Sequence, residues 1–450
     1  MLRRFRLQIV YLRLALVAVL LTWSFAATAA AEDWPGWRGP RGDGTSAEQD
    51  VPTHWHVAGD GISDGTGGGT GDTSGRDVES TNVAWRVTTR GYGHSSPVVV
   101  GDRVFLTACI EAENRRVLLC HDRATGKLLW QRDVVSAPLE FKHGLNSFAS
   151  STPAADAESV YVTFLAPDTS GKDKSDATPG QMVVAAFDHD GREKWLVRPG
   201  RFSSRHGYCS CPVLYKDMLI VNGDHDGDAY IVALRRASGE TVWKIDRENK
   251  TRSYVTPIIR QIDGRMQMIL SGSKCVASYD PDTGKRHWII DGPTEQFVAS
   301  MVYDGKLLFL TTGFPEHHVL AIRPDGRGNV TDTHVVWRTT KACSYVPSPI
   351  VVGPYFFVVS DEGVGTCYDA ATGDVHWRRR MGSHYSGSLV TADGLVYFTD
   401  DTGVTKVVRP GKKYEEVAEN RLGERTFASP AISGKAIFFR TEGHLVCVKE

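Results

Sequence analysis

"CHDRATGKLLW", residues Cys120 to Trp130, has the layout of a strand end, a tight turn and the start of a second strand. "CYDAATGDVHW", Cys367 to Trp377, repeats that frame about 250 residues later. Within the frame, Asp-x-x-Thr-Gly specifies the turn: the glycine supplies a positive φ, and the Asp or Thr side chain bonds the turn backbone. A glycine followed four residues later by tryptophan recurs at Gly126/Trp130, Gly191/Trp195, Gly239/Trp243, Gly284/Trp288 and Gly373/Trp377. A looser copy, "RPDGRGNVTDTHVVW", separates Gly326 from Trp337 by an insertion. The unit is forty-odd residues long, with one longer polar insertion, "APDTSGKDKSDATPG", after Leu165. A period in that range is the signature of a repeat architecture.

The rest of each unit is β in character. "SSPVVVGDRVFLTA" from Ser95, "CPVLYKDMLIVNG" from Cys211, "SPIVVGPYFFVVS" from Ser348 and "SPAISGKAIFFRT" from Ser429 are short apolar strands broken by Gly, Asp or Lys turns. Such alternation excludes a helical solenoid. Two strands precede the frame and two flank its turn, so each unit is a four-stranded meander, one blade of a propeller. Inner strands start near His94, Phe148, Gly207, Ser253, Phe297, Ser344, Tyr385 and Thr426, which predicts an all-β fold of eight antiparallel blades over residues 82–450. The last blade stops after its third strand, while "NVAWRVTT", Asn82 to Thr89, is a strand with its own Trp85 and no blade before it. Pairing the two closes the ring and removes the exposed sheet edges of an open array.

The Asp-x-x-Thr-Gly-x-x-x-Trp repeat resembles that of the quinoprotein-dehydrogenase-like propellers, also called pyrroloquinoline-quinone-like repeat proteins. That superfamily includes quinone-dependent alcohol dehydrogenases and the propeller lipoprotein of the outer-membrane β-barrel assembly machinery. The resemblance implies that Trp85, Trp130, Trp195, Trp243, Trp288, Trp337 and Trp377 dock between neighbouring blades. The opener "DWPGWRGPRGDGTS", Asp33 to Ser46, is similar to the start of secreted bacterial members of the class. Blade seven departs from the pattern, because "VVRPGKKYEEV" has no tryptophan.

Residues 1–31 have the layout of a secretory signal: Arg3, Arg4, Arg6 and Arg13 precede the apolar run "LALVAVLLTWSFAATAAA". Its Ala-rich end suits cleavage after Ala31, giving a periplasmic or secreted protein; retained, the run is about long enough to anchor the chain in a thin bilayer. Residues 32–81 form an N-terminal extension whose stretch 58–77, "AGDGISDGTGGGTGDTSGRD", has too few apolar residues to pack and is expected to be flexible. With 52 basic and 53 acidic residues, no global field attracts nucleic acid. The expected partner is another envelope or secreted protein, or a glycan, met by a monomer.

Eight cysteines allow 105 full pairings, and the sequence selects none. Cys120, Cys367 and Cys447 fall at one repeated strand position, with Ser278 in the same slot, which is the pattern of small core residues. The quinone dehydrogenases of the superfamily carry adjacent cysteines and a calcium or lanthanide ion. This chain has only Cys209-Ser210-Cys211, so bound pyrroloquinoline quinone with calcium is the disfavoured reading. Asp224, Asp226 and Asp228 alternate in "NGDHDGDAY", compatible with either a calcium loop or an acidic hairpin turn, and Glu316 to His318 is the densest further ligand-like cluster. No nucleophile elbow or zinc-protease motif is present, and no catalytic residue is assigned.

One feature exceeds strand packing. "YGHSSP", "FASSTP", "HGYCSCP", "RSYVTP", "CSYVPSP", "HYSGS" and "RTFASP" stand just before inner strands. Inner strands of a propeller run the same way, so these residues gather around one opening. Tyr92, His94, His206, Tyr208, Arg252, Tyr254, Tyr345, His384 and Tyr385 are the candidate binding residues of that mouth; the other reading is that they plug the channel neck. The sequence thus favours an exported binding or assembly scaffold without a catalytic centre, with a quinone-dependent oxidoreductase, or a carbohydrate-active or hydrolytic enzyme using the channel mouth, as alternatives.

Overall fold

A computed structural model describes residues 31–58, 79–170 and 178–450. The expected signal segment and most of the Gly-rich stretch lie outside the described residues, as does the middle of the polar insertion after Leu165. Eight sheets, each built on a four-stranded antiparallel blade, follow one another along the chain, and among the described residues the sole helix is a 3-10 turn at Glu111–Glu113. Blade one shows the pattern, with strands Val98–Val100, Arg103–Ile110, Arg115–Asp122 and Leu128–Ser136 ordered from the axis outward. Blade eight takes Ala431–Ser433, Ala436–Arg440 and His444–Lys449 from the end of the chain, and Val83–Thr88 from its beginning. Trp85 pairs with Cys447 there, so the ring is closed by hydrogen bonds between the two ends of the fold.

The repeated frame has a two-sided mechanical role. Asp122 Oδ1 accepts hydrogen bonds from the Thr125 amide and hydroxyl at 2.8 and 2.7 Å, which sets the turn, and Gly126 follows at φ +72°. A Cβ on Gly126 would stand 2.5 Å from the Trp85 ring, so the position requires glycine for space as well as for dihedral angle. Gly191, Gly239, Gly284 and Gly373 meet Trp130, Trp195, Trp243 and Trp337 in the same way. Each frame therefore receives the indole of the blade before and sends its own to the blade after. The indole N–H groups complete the docking across the gap, Trp85 to Arg123 O at 3.1 Å, Trp130 to His189 O at 2.9 Å and Trp195 to Arg236 O at 2.9 Å. Trp243, Trp337 and Trp377 donate likewise to Pro281, Ala370 and Gly411.

Trp288 is the exception. Blade five carries the insertion between Gly326 and Trp337, and its Gly328–Asn329 pairs in parallel with Arg286–Asp291, over the indole. Trp288 is left wholly buried, and its N–H turns back to Gln267 Oε1 of its own blade at 2.9 Å. Cys120, Cys367, Cys447 and Ser278 pair across the sheet with Trp130, Trp377, Trp85 and Trp288, and all four are buried. All eight cysteines are free thiols. Burial pushes Cys120, Cys367 and Cys447 up to about 12, as expected of core residues with little thiolate character.

The missing tryptophan of blade seven is replaced from outside the repeat. Ala418 occupies its place, opposite Val407 and Tyr397. Trp55 of the N-terminal extension stacks on Tyr397 at 6.5 Å and 19° and lies 5.5 Å from Phe439 of blade eight. Trp55 is 4% exposed and is held by its amide on Asn420 Oδ1 at 2.8 Å, while the Asn420 amide donates to Thr53 O. The extension thus packs as part of the propeller.

Candidate functional site

The stretch preceding each inner strand builds a belt around the central channel. The Ser96 amide donates to Thr152 Oγ1 and the Thr152 amide to Cys211 Sγ. On the other side Ser300 donates to Ser348, Ser348 to Ser388 and Ser388 to Ser429, at 2.8–3.0 Å. Each link joins one blade to the next through the residue that opens the inner strand. The Ser-Pro and Thr-Pro pairs of the sequence are this belt, with proline at the strand start where it removes no ladder bond.

One end of the channel is crossed by the opener of the extension. Trp34 exchanges two backbone hydrogen bonds with Val99 of blade one, and Pro35 O accepts the Ala155 amide of blade two. Two residues on, the chain has reached the opposite side: the Trp37 indole donates to Ser300 Oγ of blade five at 3.2 Å, and the buried Arg38 to Pro349 O of blade six at 2.6 Å. Gly44 and Ser46 then bond Thr391 of blade seven. Trp37 consequently floors a cavity of about 500 Å³ that opens to solvent at the other end. That volume is in the range of small-ligand sites.

The cavity brings together five of the residues expected at the mouth: His94, His206, Arg252, Tyr254 and Tyr345. His206 stacks on Tyr254 at 6.1 Å, and His94 packs against Phe427 at 4.7 Å. Arg252 Nη1 holds Asp226 Oδ1 at 2.5 Å. Tyr92 stands behind His94, its hydroxyl 2.8 Å from His94 Nε2. His384 sits outside the cavity with Nδ1 on Asp401 Oδ2 at 2.6 Å. Tyr208 and Tyr385 are not at the mouth. Tyr208, in the connection before Val213–Tyr215, is buried edge-to-face on Phe202, and Tyr385, 0% exposed and in the connection before Val390–Ala392, fills the core between blades six and seven.

Other lining residues fall outside the repeated motif and left no signal there: His143 and Asn146 after blade one, Phe314 in blade five, Asp361 in the turn after the second strand of blade six, and Trp37 in the opener; Gln296 stands in the blade-five copy of the motif. Asp361 accepts the amides of Tyr345 and Val346 at 2.7 and 3.0 Å, and desolvation raises its carboxyl above the usual range. Asp224, Asp226 and Asp228 do not converge: they pair separately with Arg247, Arg252 and Lys250, which is the hairpin reading. Among the described residues no three His, Cys, Asp or Glu side chains form a metal-ligand group.

Burial first, then Arg440 and Lys142, holds His94 down at about 3; burial, then Arg252, holds His206 at about 4. Both start from 6.5, so both rings are neutral in the folded protein at neutral pH. A folded pKa below the unfolded one gives stability that is complete above pH 6.5 and is lost as pH falls toward 4 and then 3. A His94→Gln/His206→Gln variant should lose melting temperature less steeply than the wild type over that window. An identical slope would contradict the assignment.

A protein-family model described as outer membrane protein assembly factor BamB matches residues 48–172, 113–327 and 328–449. The chain belongs to this BamB family. Among solved structures it is similar to BamB from Moraxella catarrhalis, with TM-score 0.54 and 12% identity over 82% of this chain and 98% of that one. It is equally similar in fold to a europium-containing methanol dehydrogenase, with TM-score 0.54 and 13% identity over 81% of this chain and 84% of that one. At these identities the BamB and dehydrogenase structures share the propeller with this chain. No curated protein matches the sequence. Among the described residues no helix is long and apolar enough to cross a membrane.

Proposed function

We propose that the protein is an exported, monomeric propeller that acts as a binding or assembly scaffold in the periplasm or outside the cell, holding an envelope or secreted protein at the open end of its channel. The observation that carries the reading is the one-ended funnel. The chain lays its own opener, Trp37 included, across one end, and the cavity is lined by side chains drawn from many blades. Aromatic and Arg side chains, partly buried around an opening, are the types that most often dominate binding energy. Membership of a family described as an assembly factor agrees with it. A glycan is the second class of partner that such a rim suits. The near-neutral charge gives no reason to invoke nucleic acid.

The reading assigns no quinone and no metal to the funnel. Asp361, the carboxylate that lines the cavity, accepts two backbone amides, and Asp226 gives one oxygen to Arg252, so the lining offers a quinone's metal a single carboxylate that is already hydrogen-bonded. Protein reconstituted with pyrroloquinoline quinone and Ca²⁺ should show no dye-linked alcohol oxidation above background. The direct test is capture from an envelope extract by wild type and by a Tyr345→Ala/His206→Ala variant. The expected result is a partner retained by the first and lost by the second at unchanged melting temperature. Chelator-sensitive turnover, or equal capture by both proteins, would overturn the reading.

A further inference from the structure

The funnel contains hydrogen-bond donors that the protein itself does not use. Arg252 spends Nη1 on Asp226, while its Nε is buried without a partner and its Nη2 makes no hydrogen bond among the described residues. Gln296, 5% exposed, stands on the neighbouring blade. Its Oε1 takes the Tyr345 hydroxyl at 3.5 Å, and its Nε2 has no acceptor among the described residues. Arg252 Nη2 and the Gln296 amide N–H₂, on residues that line one cavity beside Tyr254 and Tyr345, are donors of the kind that bind a carboxylate. Burial first, and then Arg440 and Lys142 at His94 and Arg252 at His206, keep both rings neutral, with Asp226 acting the other way on His206. The remaining wall is predominantly apolar, with Phe314 51% exposed at the rim and Phe427 opposite.

The floor decides how a polypeptide could enter. Trp37 lines the cavity and is tied to Ser300 of blade five, so a ligand is expected to enter from the open end, as a chain end can. Extending the scaffold reading, on which it rests, we propose that the funnel is a receptor for a chain end: an apolar C-terminal residue whose ring or branched side chain packs in the cavity and whose free carboxylate is bound between Arg252 and Gln296. The terminal carboxylate satisfies both unused donors, and the apolar residue covers the aromatic wall.

The test is binding of a short, N-terminally labelled peptide ending in leucine or phenylalanine, followed by fluorescence anisotropy with the full-length protein. The free-acid peptide should bind roughly tenfold or more tightly than its C-terminal amide, the scale of one lost charge-assisted hydrogen bond. Gln296→Ala and Arg252→Lys should each reduce affinity for the acid and leave affinity for the amide unchanged. Arg252→Lys keeps a cation beside Asp226, and Gln296→Ala removes no ion pair, so at least one variant remains informative if the other fails to fold. Equal binding of acid and amide overturns the proposal. So does equal affinity for an N-acetylated single amino acid, which would make the ligand a free small acid. A partner captured from extract but insensitive to Gln296→Ala would leave the scaffold reading standing and remove this one. Acid-dependent peptide binding with no partner captured would do the reverse.

Discussion

Deleting Asn82–Thr89 should lower the melting temperature sharply and promote aggregation. The strand Val83–Thr88 is the outermost strand of blade eight, paired along its length with His444–Lys449. Its loss removes that ladder and exposes the edge of His444–Lys449 to pairing with other chains. It also withdraws Trp85, which packs on Gly126 and bonds Arg123 O, and so frees the contact between blades eight and one. Differential scanning fluorimetry and light scattering read both effects. An unchanged melt with a monomeric elution profile would remove ring closure from the account.

Trp55→Ala is expected to cost about 3–5 kcal/mol, the range for truncating a buried tryptophan. The position looks like part of a loop outside the repeat, yet it fills the place that blade seven leaves open at Ala418. The cavity left would lie against Tyr397 and Phe439, on two different blades, so neither can collapse into it without shifting a sheet. Denaturant unfolding measures the loss. A change below about 1 kcal/mol, the level of an ordinary surface substitution or slightly more, would show that the extension merely lies on the propeller.

These two cases also mark what the sequence could and could not disclose. Blade number, strand order and closure were legible because the frame around Gly126 and Trp130 repeats a geometric need: a turn glycine that must accept an indole. Trp55 was not legible, since it has the role of a repeat residue without the neighbours of one. At the site, the motif before each inner strand was visible, but it carries two functions at adjacent positions. Ser96, Thr152, Ser348 and Ser429 serve the belt, while His94, Arg252 and Tyr345 face the cavity. Tyr208 and Tyr385 share the motif but are buried in the cores, on connections whose path residue type alone does not disclose. Asp361 and Trp37 reach the cavity from a connection and from the extension, where no period exists to flag them, whereas Gln296, four residues before Ser300 as Arg252 is before Thr256, stands in the blade-five copy of the motif.

The central claim, that a partner is held at the open funnel, is tested most directly by placing a photo-crosslinking amino acid at Tyr345, on the cavity wall, and separately at Val375, 54% exposed on the outermost strand of blade six. Irradiation in intact cells should give a discrete higher-mass adduct from position 345 and none from position 375. Adducts from 375 with none from 345 would place the partner on the rim of the disc and contradict the account.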